Sequence, residues 1–133
     1  MTSNQQKNLI NKAVAAMRSS YAPYSRFCVG AALLTREGRV FQGCNVENAS
    51  YGLTLCAERT ALGAAIAAGY RRFTALAVVS SGQTVPMPCG ACLQALAEFC
   101  RPDFVIVTAA ARHPAAMAIY PLKDLLPRAF RLE

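Results

Sequence analysis

The sequence predicts a three-layer α/β/α domain built around a mixed five-stranded sheet. Three observations carry that expectation. Short apolar runs suited to strands alternate with segments of helical periodicity, the pattern of an α/β fold. A Glu37-Gly38 turn signal joins the first two strand-like runs as a hairpin. Neither a repeat nor a linker interrupts the 133 residues, so 1–133 reads as one domain, long enough to bury a core.

Residues 4–18 read as an amphipathic helix. Leu9, Ile10, Ala13, Val14 and Met17 recur at helical spacing, and Lys7, Lys12 and Arg18 lie off that face. Ser3 and Gln6 have the spacing of a capping box. The stretch Tyr21-Ala22-Pro23-Tyr24-Ser25 ends the helix, because the residue before a proline resists helical geometry. Phe27 to Thr35 is apolar enough for a central strand, and Arg39 to Cys44 returns as its partner. Asn45 to Gly52 is a polar loop running from a strand into a helix, a position suited to lining a pocket. Leu55 to Ala68 forms an alanine-rich second helix closed by Gly69, small enough in its side chains to pack closely on the sheet or on another subunit. Phe73 to Ser80 is a strand, and the loop from Gly82 to Pro88 delivers a third helix, Cys89 to Cys100. Phe104 to Ala109 and Met117 to Tyr120 complete the strands, and Pro127 ends a helical turn at Leu122 to Leu126.

Apolar residues make up 54% of the chain, which excludes disorder. No apolar run reaches the roughly 18 residues of a membrane span. The N-terminal residues have no apolar signal core, so the expected location is the cytoplasm. Six cysteines in that compartment stay reduced and are available to a metal. A net charge of +7 serves solubility or attracts phosphates. The 14 Lys and Arg are scattered rather than striped, which argues against nucleic acid as the partner.

The chemistry lies in two short stretches, Cys56-Ala57-Glu58 and Pro88-Cys89-Gly90-Ala91-Cys92. The two-residue gap between Cys89 and Cys92 lets two sulfurs grip one ion from a single turn, and Cys56 supplies a third. A catalytic zinc leaves its fourth position to water; a structural zinc fills it with protein, for which His113, Cys28, Cys44 and Cys100 are the candidates. A redox role for Cys89 and Cys92 explains neither Cys56 nor Glu58. Cys56 and Glu58 are two apart and would face opposite sides of a helix body. They converge only on an ion over the helix N-terminus. Cys56 is therefore expected at the first position of the second helix, with Cys89 starting the third. Both N-termini then offer partial positive charge that favours thiolates. Glu58 is the only acid/base group near the motif and would move the protons of the zinc-held water, its bland reading being an exposed first-turn carboxylate. Three thiolates leave Zn²⁺ with a net charge of −1. Arg59 could offset this by donating to a thiolate, or it is a solvated helix residue. Asn45 and Glu47 fit ordinary turn chemistry, or else an amide and a carboxylate holding a sugar hydroxyl. Phe27 fits strand core or a wall for a base ring.

With Tyr21 to Phe27, Gly43 to Asn48, Cys56 to Ala61, Pro88 to Cys92 and Leu125 to Phe130, the chain resembles the small zinc-dependent cytidine deaminases over nearly its whole length. The Cys-x-Glu then Pro-Cys-x-x-Cys layout is the known signature of zinc deaminases. The resemblance implies hydrolytic deamination of cytidine and 2′-deoxycytidine to uridine and 2′-deoxyuridine in pyrimidine salvage. It implies a homotetramer with one Zn²⁺ per subunit, bound by Cys56, Cys89 and Cys92, with Glu58 as proton shuttle. Asn45 and Glu47 would hold the ribose, Phe27 would flank the base, Ala49 and Tyr51 would lie near the pocket, and Phe130 would complete a neighbour's site. Relatives often carry a basic residue after the last cysteine. Leu93 stands there in this chain, which leaves Arg59 as the cation beside the thiolates. Other readings are a deaminase of bases in nucleic acid, a deaminase of a blasticidin-type nucleoside antibiotic, and a zinc-binding module without catalysis. Against the first, Glu47 in the sugar loop would repel a phosphate.

Overall fold

The computed structural model describes residues 1–132 of the chain. Helix α1 (Ser3–Met17) leads to β1 (Val29–Thr35) and β2 (Val40–Cys44), then α2 (Ala57–Ala67) to β3 (Phe73–Ser80). Helix α3 (Gly90–Phe99) is followed by β4 (Val105–Ala110), β5 (Ala118–Pro121) and the short α4 (Leu122–Leu125). The strands form one sheet in the order β2-β1-β3-β4-β5. β3 and β4 run parallel, and every other neighbouring pair is antiparallel, so the sheet is mixed, as expected.

Strand side chains alternate between the two faces. Ala31, Leu33, Leu76, Val78 and Ile106 pack on one side with Ala61 and Leu62 of α2 and Leu93 and Leu96 of α3. Ala32, Ala77, Val79 and Val107 pack on the other side with Leu9, Ile10 and Ala13 of α1. The three layers follow from this alternation. Fully buried side chains such as Leu33, Leu76 and Ile106 each stabilise the fold by roughly 1.5–3 kcal/mol.

The alanine-rich helix seats closely on the sheet because the strand beneath it offers no side chain. A Cβ on Gly43 would lie 2.4 Å from the Ala57 carbonyl oxygen and 2.5 Å from the Ala61 nitrogen. Gly43 in β2 thus sets the height of α2, and with it the position of Cys56 and Glu58.

Several boundaries differ from expectation. The capping box is formed by Thr2 and Gln5, one residue earlier than Ser3 and Gln6: the Gln5 N–H donates to Thr2 Oγ1 at 3.2 Å, and the Thr2 N–H to Gln5 Oε1 at 2.7 Å. Both pairs satisfy the same pattern, and the earlier one adds a residue to the helix. β1 starts at Val29 rather than Phe27. Arg26 has φ 60°, which turns the chain, and the N–H groups leading into the strand go to side chains: that of Phe27 donates to Ser25 Oγ, that of Cys28 to Ser81 Oγ, and that of Val29 to Asn45 Oδ1. α2 starts at Ala57, because Leu55 is extended and bridges to Val46.

Candidate zinc centre and substrate pocket

Cys56 and Cys89 occupy equivalent places. Each is the N-cap of its helix, with extended backbone (φ −75°, ψ 152° and φ −72°, ψ 165°). The Cys56 carbonyl accepts from the Thr60 N–H at 3.1 Å, and the Cys89 carbonyl from the Leu93 N–H at 3.0 Å. This corrects the expected first helical position of Cys56 by one residue. The reason is geometric: at the cap the thiol swings over the open end of the helix, where Glu58, two residues later in the first turn, can share its surroundings. Cys92 lies within the first turn of α3 and is fully buried. Two helix N-termini therefore point at one group of sulfurs.

The Sγ atoms of Cys56, Cys89 and Cys92 all lie within 4.8 Å of one another, and Cys56 and Cys89 are 3.9 Å apart. Tetrahedral zinc with Zn–S bonds of about 2.3 Å sets its sulfurs about 3.8 Å apart, so the donor set fits Zn²⁺ in both spacing and softness. Among the described residues no fourth His, Cys, Asp or Glu joins the group; His113, Cys28, Cys44 and Cys100 lie elsewhere. Three protein donors without a fourth are what an open, catalytic site requires.

The hydrogen bond shared with Cys92 draws the Cys56 thiol down to about 5 against the cost of its burial, with Arg59 and Cys89 helping. Cys92 moves the opposite way, raised by that same bond to Cys56, by burial and by the nearby Glu58. Of this pair, Cys56 is the sulfur drawn toward the thiolate. Arg59 donates to it from a guanidinium nitrogen at 3.5 Å, and its neighbouring sulfurs raise its own pKa. The Arg59 Nε is buried and has no partner. Leu93 packs into the apolar core, so its position supplies no second cation to the sulfurs. Burial pushes the Glu58 carboxyl up to about 7, with the Cys56 charge adding and Arg59 opposing. Glu58 is only 5% exposed, which rules out the bland reading of a solvated first-turn carboxylate.

A cavity of about 230 Å³ opens beside the thiols, lined by Phe27, Asn45, Cys56, Glu58, Met87 and Cys89 among others. A second, of about 320 Å³, is lined by Tyr24, Ser25, Glu47, Asn48, Tyr51 and Thr54, and Thr54 also lines the first. Phe27 is 44% exposed, a wall rather than strand core. Asn45 has committed much of its amide: Oδ1 accepts from the Val29 N–H at 2.9 Å, and Nδ2 donates to the Phe27 carbonyl at 2.7 Å. The Glu47 carboxylate accepts from the Tyr24 and Ser25 N–H groups at 3.0 and 3.2 Å and from the Ser25 hydroxyl. The Ser25 hydroxyl above all holds its pKa below the usual carboxylate range. Tyr51 stands edge-on to Tyr24 at 6.2 Å.

Ala49 and Phe130 line neither cavity. Ala49 is exposed in a bend, and Phe130 is 69% exposed at the far end of the chain. The amide of Gln94 grips the Phe130 backbone twice, donating to its carbonyl at 2.8 Å and accepting from its N–H at 3.2 Å. The sequence alone does not mark Ser25, Met87 or Gln94 as site residues. Met87 stands in the Gly82 to Pro88 loop, whose delivery of Cys89 was the available signal. Ser25 falls within the Tyr21 to Phe27 stretch, but nothing local marks its tie to Glu47, 22 residues away, or that of Gln94 to Phe130, 36 residues away.

The mixed sheet, the two capping thiols and the buried carboxyl on the wall of the same cavity define a zinc-binding deaminase domain. A family model for the "Cytidine and deoxycytidylate deaminase zinc-binding region" matches residues 3–108, and the chain belongs to that family. It is 46% identical to a cytidine deaminase of Halalkalibacterium halodurans over 94% of this chain and 93% of that one. It is 47% identical to a cytidine deaminase of Mycobacterium tuberculosis over 94% and 89% of the two chains. Among solved structures, the cytidine deaminase from Burkholderia pseudomallei superposes with a TM-score of 0.89 at 50% identity, covering 98% of this chain and 100% of that one.

Proposed function

We propose that this chain deaminates cytidine and 2′-deoxycytidine hydrolytically to uridine and 2′-deoxyuridine, as a cytoplasmic homotetramer of pyrimidine salvage with one Zn²⁺ per subunit. The relatives named cytidine deaminase, matched over nearly their full length, support the substrate class. The observation that carries the chemistry is a buried Glu58 and the thiols of Cys56 and Cys89 on the wall of one cavity.

Cys56, Cys89 and Cys92 are the residues that would hold the ion, which when bound lowers the pKa of water in its open position to near neutrality. Arg59, donating to Cys56, offsets part of the charge of three thiolates. A Glu58 carboxylate oxygen takes a proton from the water that attacks C4 of the cytosine ring. It passes that proton to ring N3, then takes the remaining proton from the new C4 hydroxyl, which becomes the carbonyl, and delivers it to the departing exocyclic nitrogen. A C4–O bond forms, the C4–N bond breaks, and ammonia leaves.

Phe27 flanks the ring, held in place through its carbonyl by Asn45. The remaining N–H of the Asn45 amide and the Glu47 carboxylate take the sugar hydroxyl. Ser25 and the 24–25 backbone hold Glu47 ionised and oriented for this. A carboxylate at that place rewards a free hydroxyl and repels a phosphate, which separates nucleosides from nucleotides and nucleic acid. Tyr51 lines the sugar end, and Ala49 lies near it in the same loop. Tyr51, Leu53 and Phe130 are 77, 65 and 69% exposed, and assembly would bury them, with Phe130 entering a neighbour's site.

The test is an ultraviolet assay of cytidine, 2′-deoxycytidine, CMP and cytosine with the zinc-loaded protein. Turnover of the two nucleosides, with CMP and free cytosine far behind, is expected. Absence of turnover of both nucleosides by protein carrying one zinc per chain would overturn the reading.

A further inference from the structure

At the opposite end of the sheet from the thiols, three segments distant in sequence bring arginines to one cleft. Arg36 sits in the turn after β1, Arg72 leads into β3, and Arg101 follows α3; all three line a cavity of about 740 Å³. β3 crosses the sheet in eight residues, about 26 Å at the rise of a strand, so this cleft is separate from the pocket beside Cys56. The Arg36 N–H donates to the Arg72 carbonyl at 2.9 Å, which fixes the two side chains' roots beside each other.

The charge of the cleft is not neutralised. Asp103 is the one carboxylate in its lining, against three guanidinium groups. Its contact with Arg101 is long, 3.7 Å, and the two side chains are 88% and 78% exposed, so water screens it. Arg36 and Arg72 form no ion pair among the described residues. Neighbouring arginines behave differently. Arg71 is spent on the carbonyls of Ile66 and Tyr70, and Arg39 lies over the rings of Phe41 and Tyr70. Beneath the arginines, Phe73 and Phe99 meet edge to face at 6.3 Å and form an apolar wall. Such a wall lowers the local dielectric and strengthens attraction to an anion.

We propose that this cleft binds a polyphosphate chain, either free or as the tail of a nucleotide whose base lies against Phe73 and Phe99. Guanidinium forks match phosphate oxygens two at a time, and three forks on separate segments suit several linked phosphates better than one. The volume also lies in the range of nucleotide-sized sites, roughly 300–1,000 Å³.

The experiment is calorimetric titration of the full-length protein at low salt with inorganic tripolyphosphate, with ATP, and with oligothymidylates of increasing length. It is repeated on Arg36→Gln, Arg72→Gln and Phe99→Leu, with Arg112→Gln as a charge control outside the cleft and melting curves to verify folding. One site per chain is expected, weakened about tenfold or more by Arg36→Gln and by Arg72→Gln and unchanged by Arg112→Gln. Equal affinity for tripolyphosphate and ATP identifies a free polyphosphate chain. Tighter ATP binding that Phe99→Leu reduces to the tripolyphosphate level identifies a nucleotide. No binding at millimolar ligand, equal weakening by Arg112→Gln, or affinity that grows with oligothymidylate length would each overturn the proposal. None of these readouts depends on deaminase activity.

Discussion

Replacing Gly43 by alanine should cost both stability and catalysis, although Gly43 touches neither cavity. The added Cβ would sit 2.4 Å from the Ala57 carbonyl oxygen and 2.5 Å from both the Ala61 nitrogen and Thr60 Oγ1. Ordinary contact begins at 3.4 Å, so the N-terminal half of α2 must retreat by about 1 Å. Two of the three atoms are helix backbone, which cannot rotate away as a side chain tip would. Overpacking of this kind costs about 3 kcal/mol at the upper end of its usual range. At this chain length that lowers Tm by roughly 12 °C. The same shift carries Cys56 and Glu58 with the helix, and a displacement of about 1 Å in a catalytic constellation costs on the order of a hundredfold in rate. The assays are Tm by calorimetry, zinc per chain by atomic absorption, and kcat/KM for cytidine. Gly63 on the same helix is the control: its added Cβ would meet nothing within 4 Å, so Gly63→Ala should hold or raise Tm. Should Gly43→Ala melt and turn over like the parent, the close approach of β2 to α2 does not position the site.

Glu58→Gln should keep the fold and full zinc yet lose about 10⁴-fold in kcat, the top of the range for general acid–base catalysis; near-normal turnover with full zinc would refute its role. Glu47→Gln should narrow the preference for cytidine over CMP, because the repulsion of phosphate goes with the charge, and an unchanged kcat/KM ratio would argue against that part of the proposal. If Phe130 enters a neighbour's site, mixing Glu58→Gln subunits with Phe130→Ala subunits should give hybrids more active than either parent, and hybrids that never exceed the better parent place Phe130 in its own domain. Burial pushes the Cys100 thiol up to about 12 from 9.0, so the native state holds its proton where the unfolded chain has lost it. The stability from the neutral thiol is therefore present below pH 9 and drains away as pH rises toward 12; Cys100→Ala should flatten that part of the alkaline stability curve, as followed by urea unfolding.

Much of this protein was legible in its residues. Alternating runs set out the strands and helices, because apolar spacing reports directly which face an element buries. The thiols at 56, 89 and 92 announced a metal site, because a two-residue gap is local geometry that needs no knowledge of the fold, whereas the place of Cys56 at the cap rather than in the first turn came from the folded chain. Long-range placement decided the rest. Phe27 reads as strand until Asn45 and Ser81 claim the backbone around it. Leu93 stands where a cation would help the sulfurs, and its face of α3 turns into the core instead. The burial of Glu58, the grip of Gln94 on Phe130 and the meeting of Arg36, Arg72 and Arg101 all depend on strand order β2-β1-β3-β4-β5, which brings together residues separated by tens of positions. Local sequence sets what each segment is, through propensity and periodicity. Which segments become neighbours is set by the packing of the whole sheet, and burial, charge and hydrogen-bond partners follow from that packing alone.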